Sequence, residues 1–244
     1  SSPVSMLYHG IQEALYPTST YHYNSGGDPV SIPSLSYEEL KAFYQSHYHP
    51  SNAIFMTFGD ISAAEHQATF EEKALSRFQR QELRIQVPPE TRLSAPLKVK
   101  DSYAFDEETD TSGKTHLIVG WMLGESSDLE QMLEAQLLTS VLLENSASPL
   151  QQALETTSLG QAPSPLCGLE DSMRELVFVC GIEGSEAEHA DALEALVLEV
   201  ITDVANNGIS HERLQAVLHQ LELHQREISG DSYPYGLQLI MQGL

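Results

Sequence analysis

Apolar positions along this chain alternate between two regimes. Continuous apolar runs of strand length occur at Ala53–Phe58, Thr115–Leu123 and Glu175–Ile182, and each predicts a buried strand. Elsewhere the spacing is helical. Leu40, Phe43 and Tyr44 share one face of a helix that stops before Pro50, and a second helix is expected from about Ala63 towards Phe78. Leu133, Leu137, Leu138, Val141 and Leu142 predict a helix from about 128 to 143, with a shorter one over Pro149–Thr156. Leu193, Leu196, Val197, Val200, Ile201 and Val204 follow the 3.6-residue period, as do Leu214, Val217, Leu218 and Leu221.

Helix starts carry their own signals. Ser36 with Glu39, Ser62 with Glu65, Ser127 with Glu130 and Ser185 with Glu188 fit the capping box, in which side chain and backbone satisfy two orphan N–H groups reciprocally. Leu35 and Leu40 suit a hydrophobic staple at the first of them. Ser210 is placed to cap the last helix, and Asn206-Asn-Gly208 reads as a left-handed stop before it.

From Gln86 to Lys100 the pattern breaks into Val-Pro-Pro-Glu-Thr and Ser-Ala-Pro-Leu, which predicts an extended connector. A domain boundary is expected at 88–100. Strands separated by paired helices imply an α+β layer, with helices packed on one face of a mainly antiparallel sheet. Residues 1–85 supply one strand for two helices, so the first domain is expected to be incomplete, with strands upstream of Ser1. The apolar segment Gly236–Met241 suggests that the second is cut short as well.

Charge changes the picture of the second half. Residues 1–100 carry a net charge of -2 and residues 101–244 a net of -21, within a total of -23. Such a field repels nucleic acid and anionic membranes and attracts cationic partners, basic peptides among them. It fits plain solubility, or a salty habitat, equally well. No apolar run approaches the roughly 20 residues that span a bilayer. Two cysteines, Cys167 and Cys180, are too few for a disulfide framework or a cysteine-rich zinc site. Both lie in apolar surroundings, which favours free thiols in a reducing compartment: cytoplasm, or an organelle matrix in a eukaryote.

Ten histidines invite a search for a metal site, and none is complete. Helical zinc-protease signatures place two His four residues apart with a Glu beside them. His211-Glu212 begins one, but Gln215 stands where the second His belongs, and His219 and His224 are five apart. His47 and His49 suit a helix end, where imidazole meets the dipole, better than a metal. His9 and Glu13 are one helical turn apart, the spacing of an exposed surface pair. No Gly-x-Ser-x-Gly elbow occurs, neither cysteine has a sequence neighbour that would lower its pKa, and Asn24–Asp28 lacks the Lys and Ser/Thr of a phosphate loop. No catalytic, cofactor-binding or metal-ligating residue is assigned.

The stretch Tyr21–Asp60 resembles the insulinase-like zinc metallopeptidases, the inverzincins with a His-x-x-Glu-His motif, and within them the presequence-protease branch. The resemblance rests on Ser25-Gly-Gly-Asp-Pro29, Ile32-Pro33, Leu35, Tyr44, His47-Tyr-His-Pro-Ser-Asn-Ala53 and Gly59. It continues more weakly through Ser148-Pro-Leu150, Leu159-Gly160 and the helical pair of 185–222. It implies four homologous α+β domains in two halves around a chamber, with zinc in the first domain only. Residues 1–87 would then be the C-terminal part of the zinc-peptidase domain, and 101–244 a second, non-catalytic one. The metal ligands precede a segment like this one in the family, and an Arg and a Tyr come from its C-terminal half. None maps onto this chain. The resemblance therefore implies zinc in the parent protein and none in this piece, with peptide substrates and the remaining domains of the polypeptide as partners. The alternative it leaves is a non-peptidase structural or partner subunit of the same family.

Overall fold

The computed structural model describes residues 2–82, 85–105, 110–226 and 234–242. The chain divides into two compact units, one of residues 1–26 and 87–221, the other of 27–86 and 222–244.

The first unit is built around one strand. β4 (Glu175–Ser185) follows β1 (Thr115–Glu125), β2 (Ala162–Pro163) and β3 (Gly168–Glu170) in the chain and pairs antiparallel with all three. The long ladder sets Val119 opposite Cys180 and Trp121 opposite Phe178. β4 is apolar at consecutive positions, which requires cover on both faces. On one face Phe178, Cys180 and Ile182 pack with Leu142, Leu150, Leu154, Leu193 and Val197. These come from α4 (Leu129–Leu143), α5 (Pro149–Thr156) and α6 (Ala190–Asn207). On the other face Val177 and Val179 pack with Tyr16 and Met173, joined by Ile11 and Leu15 of α1 (Pro3–Leu15). The helical layer foreseen on one face is present, and α1 adds a cover on the second.

Local chemistry explains the boundaries. Asp128, not Ser127, caps α4, its carboxylate accepting from the N–H groups of Glu130 and Gln131 at 3.0 and 3.2 Å. Pro149 opens α5 at a position where a missing N–H is harmless. The box foreseen at Ser185 does not form. The Ser185 hydroxyl donates to the Leu159 carbonyl at 2.6 Å, and a 3-10 turn over 187–189 leads into α6 instead. Gly208, at φ +71°, ends α6 in a backbone region that favours glycine. Ser210 caps α7 (His211–Arg226), accepting from Arg213 N–H at 3.3 Å, and Val217 is buried.

The connector holds no helix or strand among its described residues, and side chains anchor it. The Arg174 guanidinium donates to the Val87 carbonyl at 2.8 Å and to the Glu125 carboxylate at 3.2 Å. Arg92 donates to the Leu123 carbonyl, and Lys98 meets both Asp191 and Glu194 at 2.7 Å.

The second unit holds α2 (Tyr37–His47), α3 (Ala63–Lys73) and α8 (Tyr235–Gln242). The Ser36–Glu39 capping box is complete on α2. At α3 the Ser62 hydroxyl accepts from Glu65 N–H at 3.3 Å. The strand foreseen over Ala53–Phe58 is absent: the segment has no regular structure, and among the described residues no strand pairs with it. A ladder needs a partner, and apolar patterning alone does not make one. Ile54 is 72% exposed and Leu40 63%, and within 27–86 His49 is the one buried residue among those described.

Candidate functional site

His47 stacks on Phe43 with ring centroids 3.9 Å apart, and its Nδ1 lies 2.8 Å from the Ser46 hydroxyl and 3.1 Å from the Phe43 carbonyl. That is the helix-end role foreseen for it. His49 Nδ1 accepts from Ser51 N–H at 3.1 Å, capping the 3-10 turn over 50–52. His9 Nε2 lies 3.3 Å from the Asn24 amide, and no His9–Glu13 ion pair forms among the described residues. His211 and His219 are exposed on α7, and the side chain of His224 lies outside the described residues.

A zinc ion needs three or four His, Cys, Asp or Glu donors converging on one point. Among the described residues no group of three or more does so. His47 and His49 already serve the backbone beside them. These residues do not fit a zinc ion.

The cysteines are equally unsuited to nucleophilic work. Burial pushes the Cys167 and Cys180 thiols up, and the thiolate is the reactive form. Cys167 Sγ is held by Gly181, 3.3 Å from its N–H and 3.5 Å from its carbonyl. The Gly-rich stretch is a turn rather than a phosphate cradle. Asn24 Oδ1 accepts from Gly26 N–H at 2.9 Å, and the Asp28 carboxylate accepts from the N–H groups of Val30 and Ser31 at 3.1 Å each.

One strongly perturbed acid was not signalled by any motif. The Glu90 side chain, 5% exposed, accepts from Thr18 N–H at 3.2 Å, the Thr18 hydroxyl at 2.5 Å, Ser19 N–H at 2.8 Å and Thr91 N–H at 2.7 Å. Burial alone would raise its pKa, but the hydrogen bonds from Thr18 and Ser19 outweigh it and hold the carboxyl at about 2. A permanently ionised, fully bonded carboxylate cannot shuttle protons near neutrality. Glu90 ties the connector to the turn after α1.

Two hollows remain. One, of about 710 Å³, is open and lined by His49, Ser51, Glu71, Phe78 and Arg80 among others. Its Ser51 hydroxyl already accepts from Gln81 N–H at 3.0 Å. The other, of about 250 Å³, lies between α1 and residues 165–170, and its walls are largely apolar. No helix among the described residues is long and apolar enough to cross a membrane.

Comparison with known proteins gives these features a context. Residues 34–221 match the family described as the peptidase M16 inactive domain. The chain is 36% identical over 234 residues to a mitochondrial presequence protease of Xenopus tropicalis, covering 94% of this chain and 22% of that protein. It is 31% identical to presequence protease 1, chloroplastic/mitochondrial, of Arabidopsis thaliana, over 100% of this chain and 23% of that protein. It also matches protein HypA of Clostridium perfringens at 29% identity, over 97% of this chain and 24% of that one. The chain thus spans less than a quarter of the length of these relatives. Among solved structures, the peptidase M16 inactive domain of Pseudomonas fluorescens superposes with a TM-score of 0.64 at 16% identity, over 99% of this chain and 54% of that one. A Helicobacter pylori protease does so at 0.62 and 16%, over 91% and 52%. At such identities the superpositions speak for the fold alone.

Proposed function

The chain belongs to the insulinase-like M16 peptidase family, and from that premise we propose a scaffold role within a zinc-dependent endopeptidase that degrades short unfolded peptides. Residues 1–87 form the later part of its metal-binding domain, 88–100 a connector and 101–244 a second, non-catalytic homologous domain. That division concerns ancestry, whereas compactness groups 1–26 with 87–221. Zinc and its ligands belong to other parts of the parent polypeptide, where a His-x-x-Glu-His helix activates the attacking water. This chain contributes scaffold and chamber wall, and has no peptidase activity by itself.

The observation that carries the reading is the apolar surface of 27–86. Val30, Leu35, Tyr37, Leu40, Tyr44, Tyr48 and Ile54 are each at least 60% exposed. A surface of this kind belongs against another protein layer. The mitochondrial names of the relatives support an organelle matrix as the site of action if the source is eukaryotic, and the cytoplasm otherwise. The excess of acid in 101–244 supports a preference for basic peptides.

The test is hydrolysis of a quenched fluorescent peptide by this chain, with added zinc, beside a longer polypeptide that includes the upstream coding region. Chelator-sensitive cleavage by the longer protein only is the expected result. Zinc-dependent cleavage by the chain alone would overturn the proposal. A second reading, a structural partner subunit, is favoured by the description of the matched family as an inactive domain. A degenerate metal motif in the upstream coding region would select it.

A further inference from the structure

A hollow lies between α1 and residues 165–170, against the sheet face that α1 covers. The hollow of about 250 Å³ there is roofed by Ile11 and Leu15 and floored by Val177 and Val179. Its one carboxylate is that of Glu170, the last residue of β3, half-buried at the wall. One oxygen of that carboxylate accepts from Ser172 N–H at 2.9 Å and from the Ser172 hydroxyl at 2.5 Å. The other faces the Tyr8 hydroxyl at a long 3.5 Å. No Lys or Arg pairs with Glu170 among the described residues. Burial first, and the Glu170 charge second, push the Tyr8 phenol up, so Tyr8 remains a hydrogen-bond donor.

We propose that this hollow is a binding site for one arginine or lysine side chain of a peptide, its alkyl stem against Ile11, Leu15 and Val177 and its cationic head on Glu170. The shape of the chemistry selects the occupant. Long basic side chains carry an apolar stem and a charged tip, so they suit an apolar slot that ends in an acid. A purely apolar occupant would strip water from the Glu170 carboxylate and return no partner. A basic one supplies a charge-assisted hydrogen bond to the weakly used oxygen. The net charge of -21 over 101–244 draws cations towards the region and leaves few internal cations to compete. The inference rests on the reading of this chain as part of a peptide-degrading enzyme, and it gives the preference for basic peptides a place and a residue.

The test uses the 244-residue chain and a short labelled peptide with one arginine, against the same peptide with citrulline, which keeps the shape and removes the charge. The arginine peptide should bind roughly tenfold tighter, the size of one charge-assisted contact. Glu170→Gln, which leaves an acceptor for Ser172, should erase that advantage and leave the citrulline peptide unchanged. Leu15→Trp, which fills the hollow, should weaken both peptides, with circular dichroism confirming that the chain is folded. An arginine advantage that persists in Glu170→Gln overturns the site while leaving the acidic-surface preference standing. Equal affinities for arginine and citrulline in the unaltered chain overturn both. Undiminished binding in Leu15→Trp places the contact elsewhere and also overturns the site. A norleucine peptide that binds as tightly as the arginine one would assign the hollow to an apolar occupant instead.

Discussion

The backbone N–H of Glu90 donates to a carboxylate oxygen of Glu175 at 2.7 Å, joining the connector to the first residue of β4 across 85 positions of sequence. Glu175 is 2% exposed and also accepts, at its carbonyl, the hydroxyl of Tyr16 at 3.0 Å. Two buried acids and one buried phenol thereby hold the connector, the turn after α1 and the sheet as one piece. N–H and O–H donors do this, and among the described residues no Lys or Arg pairs with Glu90. Neutral dipoles that surround a carboxylate can stabilise its charge as well as a partner ion does.

The charge on Glu90 makes this junction acid-sensitive. Its carboxyl is held at about 2 in the folded chain, against an ordinary value of 4.5. A depressed pKa contributes stability above the unfolded value, and that contribution is lost as pH falls from about 4.5 through about 2. Glu90→Gln should cost about 2 kcal/mol near neutrality, the worth of hydrogen bonds to a charged group. Melting temperatures of both proteins across this range should run parallel above about pH 5 and converge below it. A gap that stays constant down to pH 2 would show that Glu90 is not the charged acceptor.

Tyr16 separates hydrogen bonding from packing at the same junction. Its ring is fully buried and meets Tyr21 edge-on at 5.2 Å. Tyr16→Phe keeps the ring and removes one neutral hydrogen bond, for a loss of about 1 kcal/mol. Tyr16→Ala removes the ring as well and should cost about 3–5 kcal/mol, as for other large aromatic truncations. Urea midpoints measure both. Equal losses would mean that the hydroxyl, not the ring, holds α1 to the sheet.

Two strand glycines should respond differently to the same added methyl. At Gly181 a Cβ would sit 2.1 Å from the Leu117 carbonyl oxygen and 2.7 Å from Ile118 Cα, both backbone atoms of β1. At Gly120 it would meet the end of the Ile11 side chain at 2.5 Å, which can rotate away. Gly181→Ala should therefore cost 3 kcal/mol or more by prising β1 from β4, and Gly120→Ala about 1 kcal/mol by displacing α1 slightly. Amide exchange should rise along the β1–β4 ladder in the first variant and stay near its original level in the second.

What the chain's pattern revealed, and what it concealed, follows from how local each feature is. β4 was legible because eight consecutive residues, Glu175–Ile182, carry its signal, and α5 because Pro149 marks its start. β2 and β3 are two and three residues long, too short for any period to register. The second cover of the sheet depends on Ile11 of α1 lying against Gly120, a relation between distant segments. Glu90 was equally hidden: a Glu after two prolines looks like linker, and its role appears only with Thr18 and Glu175, 72 and 85 residues away. The Ser127 and Asp128 caps differ by one residue, and both fit the same local rule. Ala53–Phe58 failed in the opposite sense, since its pattern is that of a strand and no strand pairs with it among the described residues.

That last mismatch gives a prediction about the surface of the second unit. Leu150 of α5 is fully buried, whereas Phe43 is 54% exposed on α2 and touches His47 of its own helix. In this chain Leu150→Ala should cost about 2–5 kcal/mol, as core truncations do. Phe43→Ser should change stability by no more than about 0.5 kcal/mol, the range of ordinary surface substitutions. If the apolar face of 27–86 is covered by another layer of the parent protein, Phe43 becomes a core residue there. The same substitution in the longer polypeptide should then cost about 3–5 kcal/mol, the loss expected for a buried phenylalanine. Chemical denaturation of the two variants in both lengths of protein decides the matter. A Phe43→Ser cost that is small in both would mean that the face is solvent-exposed in the parent too, and the scaffold reading would lose its main support.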